Sequence, residues 1–354
     1  MNVAALVSGG VDSSVMIKLL KDSGISPDIF YIKIAMEDEE GKLDCTYKED
    51  VEIVMQIARQ YGCRVEMVDL QQEYWEQVVS YTIETVRSGL TPNPDIMCNT
   101  LIKFGVFEDK VGKKYDKTAT GHYASTTRFN NEVFLSTAKD KAKDQTYFLG
   151  YLSDRQISKL IFPLADLTKK EVREIARAHQ IVSAERPDSQ GICFLGKINY
   201  RDFLKRYLGE KRGKIIEYET GKILGEHKGF WFHTIGQRQG LGLSLGPWYV
   251  VKKNIPENII FVSKGFDSQA QLSKIISLSG FHFFNKDLSG IDVENITFKI
   301  RHTPEFTKGK LHIGSEGNAA IESDTFISGI APGQFGVVYD KQEKLCLGSG
   351  IITE

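Results

Sequence analysis

A short apolar run, Val3 to Val7, ends in Ser8-Gly9-Gly10-Val11-Asp12-Ser13-Ser14 and passes directly into helical spacing through Val15, Leu19 and Leu20. A buried strand, a tight glycine turn and a helix start bring unpaired backbone N–H groups and the positive end of a helix dipole to the carboxyl end of the strand, where phosphate is attracted. Two adjacent glycines taken alone require no more than a tight turn with Asp12 as the helix cap. The longer string is more restrictive. It lacks the G-x-x-x-x-G-K-[ST] of a Walker loop and the G-x-G-x-x-G of dinucleotide binders.

Strand and helix then alternate. Asp28 to Ile34 reads as a strand, Tyr47 to Tyr61 as a helix with Val51, Val54, Met55 and Ala58 on one face, and Arg64 to Asp69 as a third strand. A long helix through Tyr74, Val78, Val79, Ile83 and Val86 is followed by the breaker Thr91-Pro92-Asn93-Pro94, another helix, and a strand at Lys117 to Thr120. This order predicts an α/β fold with a doubly wound parallel sheet. Asn130-Asn131 between Thr126–Phe129 and Val133–Ser136 predicts a hairpin. Thr168 with Glu171 forms a capping box for a further helix. From Gly213 onward, short β-branched and aromatic runs are separated by Gly, Asn and Asp, which predicts a small central domain and a C-terminal β-barrel. The expected boundaries are 1–195, 196–265 and 266–354.

A chain of 354 residues is long enough for such a division. Lys and Arg total 45 against 46 Asp and Glu, so net charge does not announce a nucleic-acid binder. The N-terminus has neither the basic flank nor the cleavage site of a signal peptide, and no run is long and apolar enough for a membrane span. The expected location is the cytoplasm, with no membrane partner. Five scattered cysteines with no C-x-x-C argue against a disulfide framework and an ordinary zinc site.

Two of those cysteines sit in loops suited to chemistry. Asp95-Ile96-Met97-Cys98 puts a carboxylate three residues before a thiol, behind two stiffening prolines, so both side chains face one way if a helix begins there. Asp188-Ser189-Gln190-Gly191-Ile192-Cys193-Phe194 puts a second thiol behind a flexible glycine. Cys63 and Cys346 read as small buried hydrophobes, and Cys45 stays undecided. The residues alone leave open whether Cys98 and Cys193 meet in space. A basic stripe with Lys197, Arg201, Lys205, Arg206, Lys211, Arg212 and Lys214 suits a phosphate backbone, or is a solvated helix face over Phe203, Leu204 and Tyr207.

The S-G-G-x-D-S string resembles the pyrophosphate loop of the PP-loop ATP pyrophosphatases. Together with N-P-D-x-x-C, Gly121-His122-Tyr123, Lys143-Asp144-Gln145, D-S-x-G-I-C-F and His233-Thr234-Ile235-Gly236-Gln237-Arg238, in that order, the chain resembles the bacterial tRNA 2-thiouridylases over nearly its whole length. Ala331-Pro332-Gly333-Gln334 and Cys346-Leu347-Gly348-Ser349-Gly350 extend the resemblance into the barrel.

The resemblance implies ATP-dependent conversion of the wobble uridine of tRNA to 2-thiouridine. The C2 oxygen is adenylated, pyrophosphate is released, and a cysteine persulfide delivers sulfur as AMP leaves. It casts Cys193 as the persulfide carrier, Cys98 as the second catalytic thiol and Asp95 as the acid/base. ATP with Mg2+ is expected on Leu6, Val7, Ser8, Gly9, Gly10, Val11, Asp12, Ser13, Lys33 and Gly121. The tRNA is expected on Asn93, Pro94, Asp95, His122, Lys143, Asp144, Gln145, Arg301, His302 and Gln334, with the anticodon base flipped inward. Lys33 and Gln190 depart from the family pattern, which more often has an apolar residue and a threonine there. The implied partners are tRNA and a persulfide donor, either a cysteine desulfurase or a sulfur-relay protein.

Three other readings make different demands. A nitrogen-transferring AMP-forming synthetase of the same superfamily would release pyrophosphate on a small molecule, and a non-catalytic RNA binder would not need ATP. An iron–sulfur thiolase would use Cys98, Cys193 and Cys45 as ligands, and no cluster is expected.

Overall fold

The structure, a computed structural model, describes residues 1–34, 45–129, 132–188, 199–265, 272–284 and 292–353. Gln190, Cys193 and Lys197 lie outside the described residues, as does the side chain of Cys45.

Strand β1 (Val3–Leu6) is the middle of a five-stranded parallel sheet with β2 (Asp28–Lys33), β3 (Val65–Asp69), β4 (Lys117–Thr120) and a short β7 (Leu160–Ile161), in the order β3-β2-β1-β4-β7. Alternation along β1 explains its uninterrupted apolar sequence. Val3, Ala5 and Val7 enter one core with helices Val11–Asp22, Cys45–Tyr61 and Lys169–Ala178, while Ala4 and Leu6 enter another on the opposite face. The capping box is present, with Thr168 accepting from the Glu171 amide. At two residues, β7 is too short to show a period, and the sequence there signals only helix.

The helix expected through Tyr74 to Val86 is interrupted. It is α-helical over Gln71–Tyr74, π-helical over Trp75–Val79 and α-helical again over Ser80–Arg87. A second π-helical stretch, Cys98–Val106, packs in the same core through Ile102 and Phe104. Widened turns of this kind are concentrated near functional sites, and hydrophobic spacing over so few residues does not separate them from α-helix.

The hairpin β5 (Ser125–Phe129) and β6 (Glu132–Ser136) follows β4 and reaches the C-terminal domain, where Phe134 enters the barrel core and Ser136 bridges to Leu345. In the central domain, helix Tyr200–Leu208 precedes β8 (Gly213–Glu217), β9 (Ile223–His227), β10 (Trp248–Asn254) and β11 (Ile259–Lys264). These strands form a sheet in the order β10-β11-β8-β9 around Ile215, Val250, Ile260 and Val262.

Strands β12 (Ser273–Phe283), β13 (Ile296–Lys299), β14 (Thr307–Ile313), β15 (Ala319–Ile327), β16 (Phe335–Asp340) and β17 (Cys346–Ile352) close the expected barrel. Side-chain alternation in β16 joins barrel to sheet: Val338 fills the barrel, whereas Phe335, Val337 and Tyr339 share a core with Phe30, Phe104 and Tyr147.

Candidate active site

Strand order reverses about β1 and β4, and ligands of open α/β sheets bind beyond the carboxyl ends of the strands at such a point. The loop after β1 is built for that. Gly9 has a φ of +80°, a conformation costly for other residues, and the helix from Val11 starts on an extended Gly10 with no side-chain cap. Ser13 and Ser14 donate their hydroxyls to the Gly10 carbonyl at 3.1 and 2.8 Å, tightening the turn while leaving the first helical N–H groups to an anion. Gly121, directly after β4, lies so close that a Cβ there would come within 2.9 Å of the Ser13 nitrogen. Leu6, Val7 and Val11 are buried, Leu6 in the core on one face of the sheet and Val7 and Val11 in the core on the other, and Ser8 is exposed. Lys33 ends β2 with its ammonium 3.6 Å from Asp69 and over the Tyr47 ring.

Charged side chains surround the loop, among them Lys169, Arg173 and Arg186, which the sequence did not single out. Lys169 donates to both Asp12 oxygens at 2.7 Å, and the Tyr123 hydroxyl donates to the same carboxylate at 2.9 Å. Asp188 pairs with Lys143 and Lys169 at 2.8 Å and with Arg173 at 2.7 Å. Burial pushes the Asp188 carboxyl upward, but hydrogen bonds and charge from the two lysines outweigh it and hold the group well below the usual carboxylate range. Arg186 donates to the Gly9 carbonyl at 3.1 Å and pairs with Asp50. Asp188 opens the D-S-Q-G-I-C-F motif, and for Arg186 the available signal was its place two residues before it.

The second expected segment does begin a helix. Asn93 accepts from the Ile96 amide at 3.2 Å as the N-cap, and Pro94 takes the first helical position, where its missing N–H is harmless. Asp95 is half-buried and Cys98 is buried, with the Cys98 amide donating to the carbonyls of Pro94 and Asp95. The barrel holds this segment from above. Gln334 donates to the Pro92 carbonyl at 2.7 Å and accepts from the Asn93 side-chain Nδ2 at 3.1 Å.

A pocket of about 270 Å³ opens beside that seam. Asn93, Pro94 and Asp95 line it, as do Arg301, His302 and Gln334 from the barrel, so six of the expected tRNA positions are brought together. Its third wall comes from the central region: His233 and Thr234, which lie in a segment singled out in the sequence, with Tyr200, Trp231 and Lys253, which do not. The His302 ring lies against Phe148 at a centroid distance of 4.6 Å, and Arg301 donates to the Ser328 carbonyl at 2.9 Å. Burial pushes His233 down to about 4 and Lys253 down to about 8.

The remaining expected positions lie away from the pocket. His122 shares a 2.7 Å hydrogen bond with Thr120, and burial together with the Lys103 charge lowers it to about 3. Asp144 is buried, accepts from the Ala138 and Thr146 amides, and is pushed upward by that burial. Gln145 accepts from the Tyr123 amide at 3.0 Å. These contacts shape the loop between Tyr123 on the phosphate side and His302 on the pocket side, where the His302 ring meets the Asp144 carbonyl at 2.9 Å. Arg201, Lys205, Arg206, Lys211, Arg212 and Lys214 of the basic stripe are all exposed, and Phe203 and Leu204 are buried beneath. Among the described residues, no group of three or more His, Cys, Asp or Glu side chains could hold a metal ion, and no helix is long and apolar enough to cross a membrane.

Residues 1–197 match the family described as the tRNA methyl transferase HUP domain, 201–264 the tRNA methyl transferase PRC-barrel domain, and 273–352 the aminomethyltransferase beta-barrel domain. Curated relatives carry the name tRNA-specific 2-thiouridylase MnmA. The protein of that name from Parabacteroides distasonis is 60% identical, with 100% of this chain and 99% of the relative covered. One from Porphyromonas gingivalis is 59% identical over the same shares, and one from Bacteroides thetaiotaomicron is 56% identical over 100% of both chains.

Proposed function

Because the chain belongs to the tRNA-specific 2-thiouridylase family, we propose that it replaces the C2 oxygen of the wobble uridine of tRNA with sulfur at the cost of one ATP. The observation that carries this reading is the pocket itself. Asn93 and Asp95, one helical turn from the Cys98 thiol, share it with Arg301, His302 and Gln334, which lie some two hundred residues further along the chain.

In the first step the C2 oxygen attacks the α-phosphorus of ATP, and pyrophosphate leaves toward the Ser8–Ser13 loop. Backbone N–H groups there suit the developing negative charge, and Lys169 stands ready to exchange Asp12 for phosphate oxygen. Asp95 takes the proton from the uridine ring nitrogen as the base becomes an O2-adenylate, and returns it later. A carbonyl oxygen is thereby turned into part of a phosphate ester that can depart as AMP.

In the second step the terminal sulfur of a Cys193 persulfide attacks C2, and AMP leaves. Cys98 then attacks the Cys193 sulfur, which frees 2-thiouridine and forms a Cys98–Cys193 disulfide; alternatively, Cys98 first releases hydrosulfide from the persulfide, with the same disulfide as by-product. Either route needs an external thiol to restore the enzyme. Lys33 and Gly121 would flank the adenosine. His122 and the Lys143-Asp144-Gln145 loop would meet tRNA beyond the pocket.

Incubation with ATP, Mg2+, a persulfide donor and unmodified tRNA, followed by digestion and mass analysis, should yield 2-thiouridine. Its absence with folded protein would sink the reading. Pyrophosphate release that does not need tRNA would point instead to a small-molecule synthetase.

A further inference from the structure

His233 belongs to the H-T-I-G-Q-R segment, to which the reaction above gives no task. It is only 3% exposed, yet it lines the pocket. Neither ring nitrogen has a hydrogen-bond partner among the described residues. Burying an imidazole with both nitrogens idle is unfavourable, and such a group in a cavity wall marks a place where an incoming polar atom is needed.

The neighbouring polar groups do not meet that need. The Thr234 amide is taken by Gln237 at 2.9 Å, and the Lys253 ammonium donates to the Gly89 carbonyl at 2.9 Å. His227 meets the His233 ring edge-on, with centroids 5.5 Å apart; its Nδ1 accepts from the Gly229 amide, and its Nε2, also without a hydrogen-bond partner among the described residues, makes no bond to His233. Trp231 and Tyr200 border the same space, giving it aromatic surface beside the His233 imidazole.

We propose that His233 is a specificity residue contributed by the central domain, and that its ring hydrogen-bonds the edge of the pyrimidine base entering the pocket. The proposal rests on the tRNA-thiolation reading. A phosphate would call for a cation, whereas burial leaves His233 uncharged at neutral pH, with one nitrogen donating and the other accepting. That complement matches a nucleobase edge, which presents donors and acceptors on a flat apolar body. A base also stacks on indole and phenol rings, as phosphate does not.

The test uses full-length tRNA transcripts carrying uridine, cytidine or 3-methyluridine at the wobble position. Binding is measured without ATP, and thiolation of the uridine transcript is measured with ATP. The parent should prefer uridine. His233→Phe should weaken uridine binding about tenfold, erase most of the preference over cytidine and raise KM more than it lowers kcat, and His233→Asn should restore part of each. A Phe variant with the parent's melting temperature, affinity and preference would overturn the proposal. If the Phe variant does not fold, the 3-methyluridine transcript decides, because equal binding of it and the uridine transcript by the parent also overturns the proposal. Failure of the parent to thiolate any transcript would remove the underlying reading, whereas an indifferent Phe variant beside an active parent removes only the role of His233.

Discussion

Gln334 and Asn93, on different domains, share a hydrogen bond of 3.1 Å, and the same glutamine donates at 2.7 Å to the carbonyl of Pro92. One barrel side chain therefore sets the height of the loop that carries the expected base-holding residues. Gln334→Leu should lower stability by about 1–2 kcal/mol, since partly buried acceptors lose their donor. Thiolation should fall further than stability does. A melt alongside a thiolation time course separates the two effects; equal activity in a folded variant would contradict the role given to the seam.

Gly121 touches the phosphate loop from the neighbouring strand. A Cβ at 2.9 Å from a backbone nitrogen is not relieved by rotating a side chain, so Gly121→Val should displace the loop. The expected result is a rise of about tenfold or more in the KM for ATP, with tRNA affinity unchanged. Pyrophosphate release at varied ATP, with tRNA binding measured in parallel, checks this.

The two thiols should separate by substitution. Cys193→Ser should release pyrophosphate in the presence of tRNA yet carry no sulfur from labelled donor. Cys98→Ser should take up sulfur but yield no 2-thiouridine. Label found on Cys98 in the first variant would reverse the roles. Cys346, fully buried in β17 and with its thiol pushed up by burial, should tolerate Cys346→Ala without loss of chemistry.

Asp188 provides a pH test. Its folded pKa lies below the unfolded value, so its ion pairs contribute stability above the ordinary carboxylate range, and that contribution is lost as pH falls through the folded pKa. Asp188→Asn should therefore be less stable than the parent at neutral pH, and the gap should close as the medium is acidified below about pH 4. Urea midpoints across that range would show it; a gap independent of pH would mean that the carboxylate charge is not what matters.

How far the sequence discloses this molecule depends on distance along the chain. The phosphate loop is legible because strand, glycines and helix are consecutive, and the barrel because strand alternation repeats over short intervals. The Asn93–Cys98 turn is legible for the same reason, with cap, proline and thiol within six residues. The pocket is different. Its walls come from Asp95, His233 and Gln334, which lie far apart in the chain on the sheet domain, the central region and the barrel, and no local period records their meeting. Lys169 and Arg186 are similarly hidden, because an isolated basic residue has the same appearance in sequence whether it faces water or an aspartate. The π-helical turns escaped because one extra residue in a turn leaves the apolar spacing nearly unchanged.

The backbone link between Cys98 and Pro94 has a mechanical consequence. The Cys98 thiol and the floor of the pocket ride on one turn of helix, so a base seated in the pocket as proposed would keep its offset from that sulfur if the domains around it shifted. Any variant that loosens the domains should therefore admit the wrong guests sooner than it misaligns the right one.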